Sequence, residues 1–189
     1  VLFVGKNCTN GHAFRDADGW VVWIPVESYA SSLLVDVFVT HEIAHALHYE
    51  NSPQFYFTTK PEQRNFSRLL LTEGIATYLT TLILECSDDV ALWGGYLSEK
   101  HLHNWRVKCE QDWPLLKEIA VRKFRSHAPT ELFQASDFKD VFRFRAGYYL
   151  GLNLVREISR GEALMANELI ALPRRRLEQL ALKYLVDRS

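Results

Sequence analysis

The spacing of apolar positions changes character along this chain of 189 residues. Near its start, Leu2 to Gly5, His12 to Arg15 and Trp20 to Val26 are short runs rich in aromatic and β-branched residues, separated by Asn10-Gly11 and Asp18-Gly19 turn signals. They predict a small antiparallel β-meander, with Pro25 marking the third strand as an edge. From Ser31 to Glu50 the pattern turns helical and almost wholly apolar, with Leu33, Leu34, Val35, Val37, Phe38, Val39, Ile43, Ala44, Ala46 and Leu47. Such a helix is expected to be buried all round, apart from a polar stripe of His41, His45 and His48. Asn51-Ser52-Pro53 breaks it, and a polar, aromatic loop runs to about Pro61.

A second helix is predicted over Glu62 to Glu85, on Leu69, Leu70, Ile75, Ala76, Leu79, Leu82 and Ile83. Asp88 to Ser126 reads as helical again, with Trp93, Tyr96, Leu97, Trp105, Leu115, Leu116 and Ile119 as core candidates and Pro114 as a break or start. Phe138 to Ile158 carries aromatic and aliphatic residues around Gly147 and Gly151, a spacing that suggests tight packing against the histidine-bearing region. A last helix opens at Pro173 and runs toward Val186. The fold class expected is α+β, mainly α: the small N-terminal β-meander, then a helical domain.

Composition narrows the partners more than the fold. One domain accounts for the length, with no linker, low-complexity tract or repeat, although Val1 leaves open an upstream segment. Basic and acidic residues nearly cancel, 22 against 23, so no global field draws in nucleic acid. The cluster Arg174-Arg175-Arg176 reads as a solvated helix start. No apolar run approaches a membrane span. Cys8, Cys86 and Cys109 are odd in number and widely spaced, which disfavours a disulfide scaffold or cysteine zinc site and favours a reducing compartment such as the cytoplasm.

The chemistry concentrates in His41-Glu42-Ile43-Ala44-His45. On a helix, residues four apart share a face, so the two imidazoles can present nitrogens to one point. Glu42, rotated roughly 100°, stands beside that point as a base for a metal-bound water. Two neutral nitrogens and a carboxylate base are what zinc-assisted hydrolysis requires. The alternative is a pair of hydrogen-bonded core histidines. Downstream, Glu73-Gly74 lies mid-helix, where glycine is costly unless another helix comes close. If Gly74 admits the first helix, Glu73 completes a His, His, Glu ligand set around one zinc ion and leaves the fourth position to water. Otherwise it is an exposed glutamate paired with a lysine or arginine. His101, His103 and His127 lack ligand spacing and suit surface or capping roles.

Three motifs together, His41-Glu42-x-x-His45, Glu73-Gly74-Ile75-Ala76 and Gly147-Tyr148-Tyr149-Leu150-Gly151, resemble the gluzincin zinc peptidases. They look nearest to a poorly characterised group of predicted zinc-dependent proteases with similar E-G-x-A and G-Y-Y-x-G pairs. The resemblance implies a zincin-like fold, a peptide or protein substrate, His41, His45 and Glu73 as ligands, and Glu42 as general base. It also implies Tyr148 as oxyanion donor, preferred over Tyr149 because Tyr148-x-x-Gly151 resembles the Tyr-x-x-Gly of one-zinc aminopeptidases. Two departures stand out. Thr77 occupies the place of the aspartate that orients a histidine ligand in thermolysin-like members, and the Gly-x-Met-Glu-Asn strand of the best-known aminopeptidases is absent. The competing reading is a zinc-retaining binding or regulatory domain, against which Glu42 argues, since a structural site has no use for a base beside an open position.

Overall fold

A computed structural model describes residues 11–17, 19–25, 29–128 and 130–187. The strand expected over Leu2 to Gly5, Cys8 and the end of the third strand at Val26 lie outside the described residues. Within them the fold is α+β and mainly α. A two-stranded antiparallel hairpin, β1 (His12–Asp16) and β2 (Gly19–Trp23), precedes α1 (Ser32–Asn51), the short α2 (Lys60–Gln63), α3 (Phe66–Ile83), α4 (Asp88–Trp93), α5 (Glu99–Gln111), α6 (Trp113–Lys123), α7 (Ala146–Gly161), α8 (Ala166–Ala171) and α9 (Arg174–Val186).

The frame is a three-helix layer in which α3 packs against both α1 and α7. Side-chain caps fix where the two helices that carry the site's histidines and Glu73 begin. Ser31 Oγ accepts from the Leu34 N–H (3.2 Å) to start α1, and Asn65 Oδ1 accepts from the Arg68 N–H (3.0 Å) to start α3. Each such cap contributes about 1 kcal/mol. Asn65 also explains why the predicted Glu62 to Glu85 helix divides into α2 and α3. α3 is central because it is apolar on nearly every side: Leu70, Leu71, Ile75 and Ala76 have no solvent exposure. α1 is not buried all round as expected. Leu33, Ile43 and Leu47 lie on exposed parts of it, while Leu34, Val37, Ala44 and the three histidines are buried.

Glycine sets the closest approach: Gly151 packs against α3, the helix of Glu73, as expected, but the neighbour of Gly74 is not the one expected. A Cβ on Gly74 would stand 2.5 Å from the Gly151 carbonyl oxygen, and one on Gly151 would stand 2.7 Å from the Leu70 oxygen. Gly74 therefore admits α7, not α1. Glu73, one residue round the helix, turns the other way, toward α1. Gly147 packs against neither α1 nor α3 at its missing Cβ, which makes room for the Phe133 ring instead.

The hairpin sits on the C-terminal half of α1. Trp20 Nε1 donates to Glu50 Oε2 (2.7 Å), and its ring packs against Tyr49 and Tyr56. Two expected core residues, Tyr96 and Leu115, are exposed instead, whereas Trp93, Trp105 and Leu116 are buried as predicted. Pro114 starts α6.

Candidate metal centre

On α1, four-residue spacing brings the His41 and His45 Nε2 atoms 3.1 Å apart. From α3, Glu73 Oε2 reaches 3.2 Å from the first and 3.6 Å from the second. Protons alone do not account for this triangle. Each nitrogen offers one N–H or one lone pair, and no placement makes all three contacts good hydrogen bonds. A cation at the centre satisfies all three. Atoms bound at 2.0–2.2 Å around a tetrahedral ion stand roughly 3.3–3.6 Å from one another, close to the observed edges. The donor set of two imidazole nitrogens and a carboxylate oxygen is chemically suited to such an ion, so His41, His45 and Glu73 form a buried group that could hold a metal.

The electrostatics of the protein alone favour the same occupant. Burial pushes the Glu73 carboxyl up, yet the charges and hydrogen bonds of His45 and His41 outweigh it and hold the group below the usual carboxylate range. Burial would lower the His45 imidazole, but Glu73, with help from Glu42, leaves it raised. The Glu73 carboxylate is therefore held ionised, and its charge draws positive charge to the point where the two imidazoles converge.

Around it lies a cavity of about 240 Å³, room for the equivalent of about eight waters at roughly 30 Å³ each. Glu42 and Tyr148 line this cavity with the triad, as do Gly11, His12 and Ala13 from the hairpin. Glu42 is 8 % exposed. A Cβ on Gly11 would fall 2.8 Å from Glu42 Cγ, so the glycine lets the strand backbone close over the glutamate stem. The Tyr148 ring lies 6.4 Å from that of His41. Burial, then the charge of Glu73, drives the Tyr148 phenol upward, which keeps it protonated and able to donate. Tyr149 points elsewhere, its ring against Trp105 and Trp113.

Other expectations fare unevenly. His48 does not join the stripe of partnered histidines: it is fully buried against Phe55, both ring nitrogens lack a partner among the described residues, and burial lowers its pKa to about 3, with the His45 charge adding to the effect. Thr77 spends its hydroxyl on the Glu73 backbone carbonyl (2.8 Å), so it orients no histidine. The buried Nδ1 of His45 has no hydrogen-bond partner among the described residues. His101 meets Ser98 and His127 meets Asn65, both capping-type contacts. Cys86 and Cys109 are free thiols. No described helix is long and apolar enough to cross a membrane.

Sequence reasoning missed the loop and arginine contributions. Phe57 and Gln63 reach the cavity from the segment between α1 and α3, which buried Arg68 holds by donating to the Tyr56 carbonyl, pairing with Glu62 (3.1 Å) and covering the Phe57 ring. Arg145 also lines the cavity. It precedes α7 with φ 59°, a left-handed conformation that costs a non-glycine residue about 1–2 kcal/mol. Phe57 and Arg145 carry no periodicity signal, since both stand on irregular backbone. No family model, curated protein or solved structure matches the chain.

Proposed function

We propose that the protein is a zinc-dependent peptidase of gluzincin type, with one zinc ion held by His41, His45 and Glu73. The observation that carries this reading is the triangle of three ligand atoms beside a second carboxylate, Glu42, that the triangle does not use. A closed structural site has no need of such a carboxylate, whereas hydrolysis needs a base beside the ion. Bound there, zinc supplies Lewis acidity, lowering the pKa of its water toward about 7 and polarising a carbonyl.

The residues of the chain do the rest. Glu42 takes the proton of the attacking water and returns it to the leaving amine; its burial holds the carboxylate in place between α1 and the hairpin. Tyr148, protonated at working pH, donates to the developing oxyanion, a contribution of about 3–4 kcal/mol in comparable sites. The side of β1 away from β2, which pairs with no strand among the described residues, favours a peptide as substrate. On that edge the Arg15 N–H donates to the Tyr56 hydroxyl (3.2 Å), and Ala13, two residues back with the same orientation, lines the cavity. An extended peptide laid along Ala13 gains backbone hydrogen bonds there.

The test is a mixed peptide library incubated with zinc-loaded protein, with and without chelator, and with the Glu42→Gln variant. Chelator-sensitive cleavage that Glu42→Gln abolishes, at unchanged zinc content, is the expected result. Cleavage by Glu42→Gln at the wild-type rate removes the proposed base. No cleavage by the zinc-loaded wild type favours a binding domain that retains the ion.

A further inference from the structure

Among the side chains around the cavity, Arg145 is the cation without a counter-charge. Its guanidinium carbon lies 4.2 Å from the Tyr148 ring centroid and 5.0 Å from that of Trp93. No side-chain hydrogen bond or carboxylate within 4 Å engages it among the described residues, and its Nε is buried without an acceptor. Arg106, Arg143, Arg156 and Arg174 each meet an aspartate or glutamate. Of the cavity's two acids, Glu73 is engaged by the histidines and Glu42 lies beyond ion-pair distance of Arg145.

The backbone that carries the arginine is fixed. Its N–H donates to the Gln134 carbonyl (2.7 Å) and its carbonyl accepts from the Tyr148 N–H (3.1 Å), which pins the left-handed turn that aims the side chain at the cavity. Strain of this kind persists where the surroundings over-determine it, and it gathers at ligand clamps. The two rings cover the cation but give its Nε–H no hydrogen-bond acceptor, so a strut between them leaves that donor unsatisfied. A guanidinium with a vacant donor edge matches a carboxylate, which accepts two parallel N–H bonds.

We propose that Arg145 is the substrate-binding residue for a carboxylate, and that the substrates are peptides carrying a carboxylate close to the cleaved bond. This rests on the peptidase reading. The distances from guanidinium to Tyr148 and from Tyr148 to His41, 4.2 and 6.4 Å, keep that carboxylate within about three residues of extended chain from the metal ligands. The group is either the C-terminal carboxylate or an Asp or Glu side chain; both present the same two oxygens.

Binding is measured on zinc-loaded Glu42→Gln protein by fluorescence anisotropy, so that no turnover is needed. The probes are three dansyl pentapeptides: neutral side chains with a free C-terminus, one glutamate with an amidated C-terminus, and neutral side chains with an amidated C-terminus. At least one carboxylate peptide should bind tenfold or more tightly than the neutral amide, and the one that does identifies the source. Adding Arg145→Gln should erase the difference, while Arg145→Lys should retain part of it. Equal affinity for all three peptides overturns the inference without any Arg145 variant having to fold. Wild-type protein that cleaves nothing overturns the peptidase reading separately, because the carboxylate preference is read from binding alone.

Discussion

Glu42 and His48 lie on one helix, both buried, and differ in what surrounds them. Glu42 borders a cavity with water-sized room; His48 is enclosed by Phe55 and Tyr49 with no hydrogen-bond partner among the described residues. With a folded pKa of about 3 against 6.5 unfolded, His48 stays neutral in the fold while the unfolded chain takes up a proton. Its contribution is complete above pH 6.5 and is lost as pH falls toward 3, with a limiting slope of about 1.4 kcal/mol per pH unit. His48→Leu should therefore gain on the wild type progressively below pH 6.5, as read by urea unfolding at a series of pH values. A constant difference between the two proteins would show that the His48 pKa is the same in the fold as in the unfolded chain. For Glu73→Ala, zinc affinity measured by competition with a chromophoric chelator should fall more than about 100-fold, beyond what loss of an orienting group costs. Unchanged affinity would remove Glu73 from the ligand set. The histidine pair and Glu42 could be read from spacing because one helix sets their geometry. The isolation of His48 and the turn that aims Arg145 could not, since both depend on groups distant in sequence.

At the scale of elements, the decisive contact is α3 against α7, where Gly74 and Gly151 leave no space for a side chain. Gly74→Ala would bring a carbon to 2.5 Å from a backbone oxygen, which must move. Overpacking of this kind costs about 1–3 kcal/mol or more. Because Glu73 is the adjacent residue, zinc affinity should fall with stability. Gly19→Ala serves as control: nothing lies within 4 Å of its missing Cβ, and the change should stay within about 0.5 kcal/mol. Thermal unfolding and zinc titration of both variants check this; equal, small effects would mean that the contact positions nothing. The glycine in mid-helix announced a close neighbour, but not which one. Helical period fixes the angle between Glu73 and Gly74, and only the packed arrangement reveals that the glutamate faces α1 while the glycine faces α7.

Over the whole molecule, the site draws on the hairpin, α1, α3, the loop ahead of α3 and the start of α7, so an ion bound there ties together parts that meet only in the folded state. At zinc about 100 times its dissociation constant, binding adds about 2.7 kcal/mol to stability. For a domain of this size that raises Tm by about 5–10 °C. Calorimetry with and without EDTA should show the loss, and the Glu73→Ala protein should show none. An equal Tm for both states of protein that purifies with zinc would place the ion elsewhere. The mainly helical class and the early hairpin were legible from the change of apolar period. How the hairpin docks was not, because Trp20 reaches Glu50, Tyr49 and Tyr56 across a stretch with no shared periodicity. Two backbones in contact at Gly74 and Gly151 also constrain how this protein can change. The wall bearing Glu73 and Tyr148 cannot be widened by degrees, since any larger residue at its seam shifts both at once. Directed evolution toward bulkier peptides should therefore collect its substitutions at Phe57 and Gln63 on the opposite rim, where a smaller side chain opens space, and leave the seam untouched.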